Sequence, residues 1–317
     1  MASPESMELT TLYKTWAAAQ TANPNMSMPE MRRMFDHWGD VTAEPGGVDY
    51  IEVDAGSIPA MWVVPKGCNT TKVLLCAHGG GYVAGSMYTH RKLFGHIAKS
   101  VGCKALSVNY GLAPEAPHPA PVNDMVNAYC WLLEQGFKAT DIALVGDSAG
   151  GALALTTVAA IRAQKLPLPA ATMPMSPWAG ADTSGKSYDT NSQTDVLVTR
   201  GMSEIIGQLF LGPNGNPKDP LANPLCIDYT GYPPIYIQVG GYEAVLDDST
   251  RAAESARRAG VNVKLDIFPE MQHCFELMAG TASEADDAVQ RMADWVKPIL
   301  GLQSIPTTQS QQENQPL

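Results

Sequence analysis

Basic residues are scarce in this chain. Its 317 residues include 21 Lys and Arg against 32 Asp and Glu, so the formal net charge at pH 7 is −11. An acidic surface of this kind argues against nucleic acid or an anionic membrane face as a partner. Long apolar runs are also missing, and the first residues, MASPESMELTTLYK, contain no basic stretch followed by an apolar one. We therefore expect no transmembrane span, secretory signal or stable membrane anchor.

Cysteine is sparse and scattered. The six cysteines form no Cys-x-x-Cys pair and no spacing typical of a metal site. This distribution predicts reduced thiols, a cytoplasmic location and no bound metal. The cysteines are Cys68, Cys76, Cys103, Cys130, Cys226 and Cys274.

What the chain has instead is an alternation of strand-like and helix-like runs. Eight apolar segments are typical of strands, and the first two follow one another closely enough to form a hairpin. From the third segment onward the rhythm predicts an α/β fold, a mostly parallel sheet with helices on both faces. The predicted strands span residues 48–55, 58–66, 72–79, 103–110, 142–148, 171–177, 234–241 and 263–270, and helices are predicted to begin near Thr89, Val122, Ala149, Asp248 and Ser283.

Three parts of the chain lie outside this rhythm. Residues 1–45 are helical in pattern and rich in methionine. A longer excursion at about residues 180–232 contains one helical run, RGMSEIIGQLF. Residues 302–317 are polar and glutamine-rich, and we expect them to be disordered. The α/β domain is therefore predicted to span residues 46–301, with the excursion inserted in it.

One short motif, VGDSAGGAL from Val145, joins a predicted buried strand to a predicted helix. A serine in so tight a turn has a strained backbone, and its neighbours must be nearly free of side chain, as Gly146 and Gly150 are. Gly-x-Ser-x-Gly in a strand–turn–helix setting is the nucleophile elbow, so Ser148 is predicted to be a catalytic nucleophile. Such a serine needs a base, a group that orients the base, and donors for the developing oxyanion.

Candidate donors follow the third predicted strand, in HGGGY at residues 78–82. Consecutive glycines expose backbone N–H groups and let a substrate approach closely. Glycine-rich loops also cradle phosphates, but here no Gly-Lys-Ser or Gly-Lys-Thr follows and no helix begins at once. With a nucleophile elbow in the same sheet, the motif favours an oxyanion hole formed by the N–H groups of Gly80, Gly81 and Ala149.

The base is expected among the six histidines. His273, in PEMQHCF, lies just past the last predicted strand and after the serine in sequence, and it is the predicted base. His78 is expected to brace the glycine loop. The other histidines are expected to be ordinary solvated or packed side chains: His37, His90, His96 and His118.

The acid that orients the base is expected between the serine and the histidine. The strand PIYIQVGG continues into YEAVLDDS, where Glu243 comes first and Asp247 and Asp248 follow. The two aspartates directly precede a helical run and have the pattern of helix caps. Glu243 is therefore the predicted acid.

Together these motifs resemble those of the bacterial hormone-sensitive-lipase-like esterases, a branch of the α/β-hydrolase superfamily. The resemblance rests on HGGGY, NYGLAPE, GDSAGG, SPW, PPIYIQVGGYEAVLDDS and PEMQHCF, which follow the family's order between about Val48 and Leu300. It implies the α/β-hydrolase fold, an eight-stranded sheet whose second strand is antiparallel. It also implies a helical cap, formed by the N-terminal helices and the excursion, and a homodimer paired through the last strand and the helix after it. The site residues that it implies are the triad Ser148, Glu243 and His273 and the donors Gly80, Gly81 and Ala149.

The sequence departs from the family pattern at two places. The family acid is more often Asp in an Asp-Pro-Leu-x-Asp motif, whose first position is Glu243 here, as in a smaller subgroup. The family's Tyr-Arg-Leu-Ala-Pro-Glu has Gly111 in place of arginine, so the contacts of that arginine are missing.

The combined interpretation is a serine carboxylesterase that hydrolyses small short-chain esters through an acyl-serine and needs no cofactor. The acid loop AVLDD also resembles family members that hydrolyse lactones, so a cyclic ester is the alternative substrate. A non-catalytic receptor is a further hypothesis, because the plant gibberellin receptors resemble this family, but they lack the catalytic histidine that His273 supplies here. For the methionine-rich N-terminal helices, core packing is favoured over lining a pocket.

Overall fold

The computed structural model describes residues 2–180 and 182–303, and within these ranges eight strands form one sheet. The second strand runs antiparallel to both of its neighbours, and every other neighbouring pair is parallel. The order across the sheet is β1-β2-β4-β3-β5-β6-β7-β8. The strands are β1 (Val48–Asp54), β2 (Pro59–Pro65), β3 (Asn69–Ala77), β4 (Cys103–Val108), β5 (Ile142–Asp147), β6 (Ala171–Met175), β7 (Ile235–Gly240) and β8 (Val263–Phe268). The predicted fold class is confirmed.

Helices cover both faces of the sheet. They are α1 (Met7–Ala22), α2 (Met28–Phe35), α3 (Met87–Val101), α4 (Ala120–Glu134), α5 (Ala149–Ala163), α6 (Ser187–Thr190), α7 (Arg200–Leu211), α8 (Leu246–Arg258) and α9 (Ser283–Ile299). A hydrophobic core lies on each face of the sheet. The side chains of β3 alternate between the two cores, because neighbouring residues along a strand point to opposite faces. Val73 and Leu75 pack with α4, α5 and α8, whereas Leu74 and Cys76 pack with α3 and α9. Among the described residues, no helix is both long and apolar enough to cross a membrane.

The helix that follows Ser148 is buried almost throughout. Every residue of α5 from Ala149 to Ile161 is buried, and a helix that is apolar all round belongs in the interior. Its alanines and glycines allow close packing on the sheet, since a Cβ on Gly151 would lie 2.8 Å from the Met175 oxygen. The start of α5, directly after Ser148, is therefore packed closely against the end of β6.

The two irregular parts of the chain pack on the cores in different ways. Leu9, Tyr13 and Phe35 of α1 and α2 join the core that contains α3 and α9, together with Trp38 of a 3-10 helix at Asp36–Val41. The excursion carries α6 and α7 and packs on both cores, since Tyr188 and Phe210 join the core with α4, α5 and α8, whereas Leu209 packs against the other core. The predicted division of the chain at residues 45, 180, 232 and 301 stays a prediction, and residues 304–317 of the predicted disordered tail lie outside the described residues.

Candidate active site

The backbone at Ser148 has the strained conformation expected of a nucleophile elbow. Its φ and ψ are 54° and −120°, at the junction of β5 and α5. A Cβ on Gly146 would lie 2.4 Å from the Gly150 oxygen, and one on Gly150 would lie 2.0 Å from the Ala77 oxygen. Only glycine fits at these two positions, which is why the sequence pattern Gly-x-Ser-x-Gly is required here.

The structure brings the predicted nucleophile, base and acid together. Ser148 Oγ lies 2.8 Å from His273 Nε2, and His273 Nδ1 lies 2.7 Å from Glu243 Oε2. A carboxylate can only accept, so Nδ1 carries the proton and Nε2 accepts the hydrogen bond from the serine hydroxyl. The three residues are 6%, 2% and 0% exposed, so water competes little for these bonds.

The loop that carries His273 is tied to the N-terminal part of the chain. The Tyr13 hydroxyl donates to the His273 carbonyl oxygen at 2.9 Å, and Trp38 Nε1 donates to the Tyr13 oxygen at 3.0 Å. Cys274 follows the histidine with a φ of 55°, so the chain turns sharply there. The sequence motifs gave no indication of Tyr13, because it is separated from its partner by 260 residues.

Glu243 is held by two further donors on its other oxygen. Ser176 Oγ donates to Glu243 Oε1 at 2.6 Å, and the Gly240 backbone N–H donates to the same atom. Ser176 was not among the predicted site residues. The signal that could have indicated it is its position directly after β6, since side chains at the carboxyl ends of parallel strands gather at one edge of the sheet.

Burial, hydrogen bonds and neighbouring charges shift the pKa values of His273 and Glu243. Burial alone lowers the pKa of His273, but the hydrogen bond and charge of Glu243, with the charges of Asp195 and Asp147, raise it above the ordinary histidine value. Burial also raises the pKa of Glu243, while hydrogen bonds from His273 and Ser176 act in the opposite direction. The imidazole is consequently a stronger base than a free histidine.

The predicted donor loop lies beside Ser148. Gly80 and Gly81 have φ values of 116° and 62°, a region that favours glycine. The Gly80 carbonyl accepts the N–H groups of Val83 and Ala84 at 3.1 and 3.0 Å, which closes the loop into a turn. The N–H groups of Gly80, Gly81 and Ala149 donate to no other group within the described ranges.

His78 and Asp147 brace this loop. His78 Nδ1 lies 2.7 Å from the Gly79 oxygen, its ring stacks on Tyr110 at 4.2 Å, and burial lowers its pKa to about 3, so it stays neutral. Asp147 accepts the Gly79 N–H and lies 3.1 Å from His90 Nε2. His78 therefore braces the glycine loop as predicted, and His90 is packed against Asp147, the residue that precedes Ser148.

One segment of the excursion, residues 191–198, is bound to the loops that carry Glu243 and His273. Asp195 accepts the N–H groups of Leu197 and Val198 with one oxygen and that of Ala244 with the other, at 2.7 to 2.9 Å. Gln272, next to the histidine, accepts from the Val196 N–H and donates to the Thr194 oxygen. This segment fixes part of the pocket wall relative to Glu243 and His273.

Asp247 and Asp248 do not cap α8, and that prediction was wrong. Both lie inside the first turn of the helix, and their carboxylates bind the excursion instead. Asp247 accepts the Ser187 N–H at 3.2 Å, and Asp248 accepts the Tyr188 hydroxyl at 3.3 Å, as well as the N–H of Ala179, just before the excursion, at 3.0 Å. The excursion covers Asp248, and burial raises its pKa to about 8.

A pocket opens in front of Ser148. It encloses about 450 Å³, including its opening to solvent. Its apolar wall comes from the N-terminal part, the excursion and the loop after β6. The lining residues are Phe35, Trp38, Gly80, Gly81, Ser148, Trp178, Leu197, Val198, Met202, Ser203, Ile206 and His273. Met28, Met31 and Met34 pack against the core instead, as the sequence favoured.

The site offers no ready place for a metal ion. Across residues 2–180 and 182–303, no group of three or more His, Cys, Asp or Glu side chains is arranged to hold one. The polar groups around Ser148 are its own hydroxyl, the His273 imidazole, the Glu243 carboxylate and the backbone N–H groups of Gly80, Gly81 and Ala149.

The chain is similar to known hydrolases over most of its length. A family with the α/β hydrolase fold matches residues 74–277. An acetyl-hydrolase from Streptomyces hygroscopicus is 34% identical over 269 residues, 85% of this chain and 88% of that protein. An esterase from Acinetobacter venetianus is 32% identical over 231 residues, 73% of this chain and 76% of that protein. The crystal structure of an esterase from the bacterial hormone-sensitive lipase family has a TM-score of 0.90 at 37% identity, covering 95% of this chain and 100% of that one.

Proposed function

The chain belongs to the α/β-hydrolase-fold family, in its bacterial hormone-sensitive-lipase branch, and on that basis we propose that it is a serine carboxylesterase. The observation that carries the proposal is the chain of two short hydrogen bonds from Ser148 through His273 to Glu243. The Ser148 end of this chain lies in a pocket that Gly80 and Gly81 also line. This arrangement supplies a nucleophile, a base, an orienting acid and oxyanion donors in one place.

In the first step, Ser148 Oγ attacks the carbonyl carbon of the ester while its proton passes to His273 Nε2. The carbonyl π electrons move to the oxygen, which becomes an oxyanion. The N–H groups of Gly80, Gly81 and Ala149 donate to that oxygen. Because these donors are fixed in the backbone before the substrate arrives, they stabilise the developing charge with no reorganisation cost.

The tetrahedral intermediate then collapses. The C–O bond to the alcohol breaks, and the leaving oxygen takes the proton from His273 Nε2, which leaves an acyl-serine. Water is activated by the same imidazole and attacks the acyl carbon, so the acid is released and Ser148 is regenerated. Throughout, Glu243 accepts the Nδ1–H hydrogen bond, which fixes the tautomer and stabilises the imidazolium.

The pocket favours small acyl groups. Bulky side chains such as Trp38, Trp178 and Ile206 narrow it, and its volume of about 450 Å³ includes the opening to solvent. A short-chain ester fits such a space, and two similar proteins are an acetyl-hydrolase and an esterase. Lactone hydrolysis, pairing of two copies and a cytoplasmic location stay predictions from the sequence. The receptor hypothesis is not favoured, because His273 lies within hydrogen-bond distance of Ser148.

The test is hydrolysis of p-nitrophenyl acetate and butyrate by the purified protein. We expect turnover in the wild type, covalent labelling by one equivalent of a serine-directed phosphonate, and neither in Ser148→Ala. Ser283→Ala, which removes an exposed hydroxyl at the start of α9, is the matched control and should retain full activity. Turnover that survives in pure Ser148→Ala would contradict the assignment.

A further inference from the structure

Arg32 of α2 joins three separate segments of the chain. Its Nε donates to the Val83 oxygen at 2.8 Å, and its Nη2 donates to the Ala113 oxygen at 2.9 Å. The same guanidinium holds the Glu115 carboxylate with two hydrogen bonds of 2.9 and 2.6 Å. A planar guanidinium can satisfy such divergent acceptors at once because its donors are fixed in a fork.

The start of α2 is itself fixed, so Arg32 is presented from a defined position. Ser27 and Glu30 form a capping box, in which the Ser27 N–H donates to Glu30 Oε2 at 2.8 Å. Phe35 at the other end of the helix is buried in the core. Arg32 lies between these two anchors.

The Val83 oxygen belongs to the turn that orients the oxyanion donors. The Val83 N–H donates to the Gly80 oxygen, so the backbone of Val83 is held by Gly80 on one side and by Arg32 on the other. The Gly80 carbonyl and the Gly81 N–H belong to one planar peptide and point in opposite directions. Fixing the Gly80 oxygen therefore fixes the direction in which the Gly81 N–H points.

The second loop that Arg32 contacts supports the same turn. The Ala113 N–H donates to the Tyr82 oxygen at 2.8 Å, and the Ala113 oxygen accepts from Arg32. This loop contains Gly111, where the family motif has arginine. A Cβ on Gly111 would lie 2.8 Å from the Ala116 Cβ, so a side chain at this position would have to displace its neighbour. In this chain, the guanidinium that contacts the loop comes from Arg32 of α2.

The ion pair between Arg32 and Glu115 by itself adds little to the stability of the fold. The Arg32 and Glu115 side chains are 27% and 65% exposed, and an ion pair that is so accessible to water contributes about 1 kcal/mol or less. What the contacts do provide is a rigid link between α2 and the backbone that follows Gly81.

We propose that Arg32 is a positioning residue for the oxyanion hole. It acts through the Val83 and Ala113 carbonyls and touches neither the substrate nor Ser148. The proposal rests on the proposed esterase function, because it concerns the donors that this reaction uses.

The experiment compares Arg32→Ala and Arg32→Lys with Arg33→Ala. Arg33 is the next residue on the same helix, carries the same charge and is exposed, so it is a matched control. Rates for p-nitrophenyl butyrate are expressed per active site, titrated with a phosphonate, so that unfolded protein does not count. A trifluoromethyl ketone is included because its adduct with the serine places a negative oxygen in the oxyanion hole.

In Arg32→Ala we expect kcat to fall about tenfold with KM unchanged, since complete loss of one oxyanion donor costs about 10²- to 10³-fold and this change only misplaces donors. The inhibition constant of the ketone should rise by a similar factor, and added guanidinium should restore part of the rate. Arg32→Lys should be intermediate, because an ammonium cannot reproduce the fork. Arg33→Ala should match the wild type.

The proposal is overturned if Arg32→Ala keeps the wild-type kcat per active site, or if Arg33→Ala loses as much. A loss confined to KM, with ketone affinity unchanged, also overturns it. If Arg32→Ala does not fold, Arg32→Lys decides in the same way. Failure of the proposed function is distinct, because it appears as a wild-type protein without ester turnover or as an active Ser148→Ala.

Discussion

Replacing Glu243 by glutamine tests how the proposed triad of Ser148, His273 and Glu243 is oriented, because it exchanges one carboxylate oxygen for an NH₂ group. In the wild type, Ser176 Oγ and the Gly240 N–H both donate to Glu243 Oε1, and His273 Nδ1 is beside Oε2. A backbone N–H cannot turn away, so the new amide NH₂ cannot replace Oε1 without facing another donor. The NH₂ group therefore replaces Oε2 and faces His273.

The expected loss follows from this orientation. Facing an NH₂ group, Nδ1 must accept, so the imidazole proton moves to Nε2, which can then no longer take the proton of Ser148. Turning the amide over leaves the Gly240 N–H buried without an acceptor, at a cost of about 1–3 kcal/mol. Removing the carboxylate charge withdraws about 4 kcal/mol from the imidazolium, for unit charges about 4 Å apart at an effective dielectric constant of about 20. The sum, about 5–7 kcal/mol, corresponds to a loss in kcat of about 10⁴-fold or more.

Steady-state hydrolysis of p-nitrophenyl butyrate by Glu243→Gln measures this loss. Asp247→Asn is the matched control, because Asp247 is an acid four residues further along the chain, in the first turn of α8, where it hydrogen-bonds Ser187, and its replacement should leave kcat nearly unchanged. Circular dichroism of each variant checks that the fold is retained. A folded Glu243→Gln with kcat within tenfold of the wild type would refute the reasoning, and loss of activity in Asp247→Asn alone would make Asp247 the acid.

Three further predictions concern groups around the site. Asp195→Asn removes a negative charge that raises the pKa of His273, so that pKa should fall. The acidic limb of the plot of kcat/KM against pH should then move to lower pH. A limb that does not move would contradict the effect of the Asp195 charge on His273. Tyr13→Phe removes the hydroxyl that donates to the His273 carbonyl. The value of kcat for p-nitrophenyl butyrate should fall about three- to tenfold, with KM unchanged. An unchanged kcat would mean that this hydrogen bond does not position His273. Burial raises the pKa of Asp248 to about 8, above the value of about 3.9 in an unfolded chain. The folded state therefore binds this proton more tightly than the unfolded state does. As the pH rises from about 4 to about 8, the contribution of Asp248 to the free energy of unfolding is lost. Asp248→Asn cannot ionise, so its Tm should fall less than that of the wild type between about pH 5 and about pH 8, and equal falls would argue against an ionisable Asp248 in the folded protein.

The eight strands could be predicted because each is specified by a local apolar run. The predicted ends, however, extended one or two residues too far at several strands. β3 ends at Ala77 and β4 at Val108, whereas the predictions ran to Gly79 and Tyr110. The extra residues leave the sheet to build the site, since the Tyr110 hydroxyl donates to the His78 carbonyl. An apolar pattern does not distinguish a strand from a loop that turns inward.

Ser148, Glu243 and His273 could be chosen from the sequence because each lies in a motif next to a strand. Ser176 also lies in a motif next to a strand, SPW after β6, but its role depends on a contact with Glu243, 67 residues away, to which the motif does not point. Arg32 lies in no such motif, and its partner Val83 is 51 residues away. For the same reason, Asp248 was mistaken for a helix cap, because its burial depends on a segment about 60 residues earlier.

The N-terminal part of the chain contacts two loops of the proposed active site. Tyr13 hydrogen-bonds the loop of His273, the proposed proton acceptor, and Arg32 hydrogen-bonds the loop of Gly80 and Gly81, the proposed oxyanion donors. Proton transfer to His273 and stabilisation of the oxyanion therefore both depend on contacts with α1 and α2, which contribute no strand to the sheet. Removing this part of the chain would therefore weaken proton transfer and charge stabilisation together, and it would also uncover the core that Leu9, Tyr13 and Phe35 help to fill.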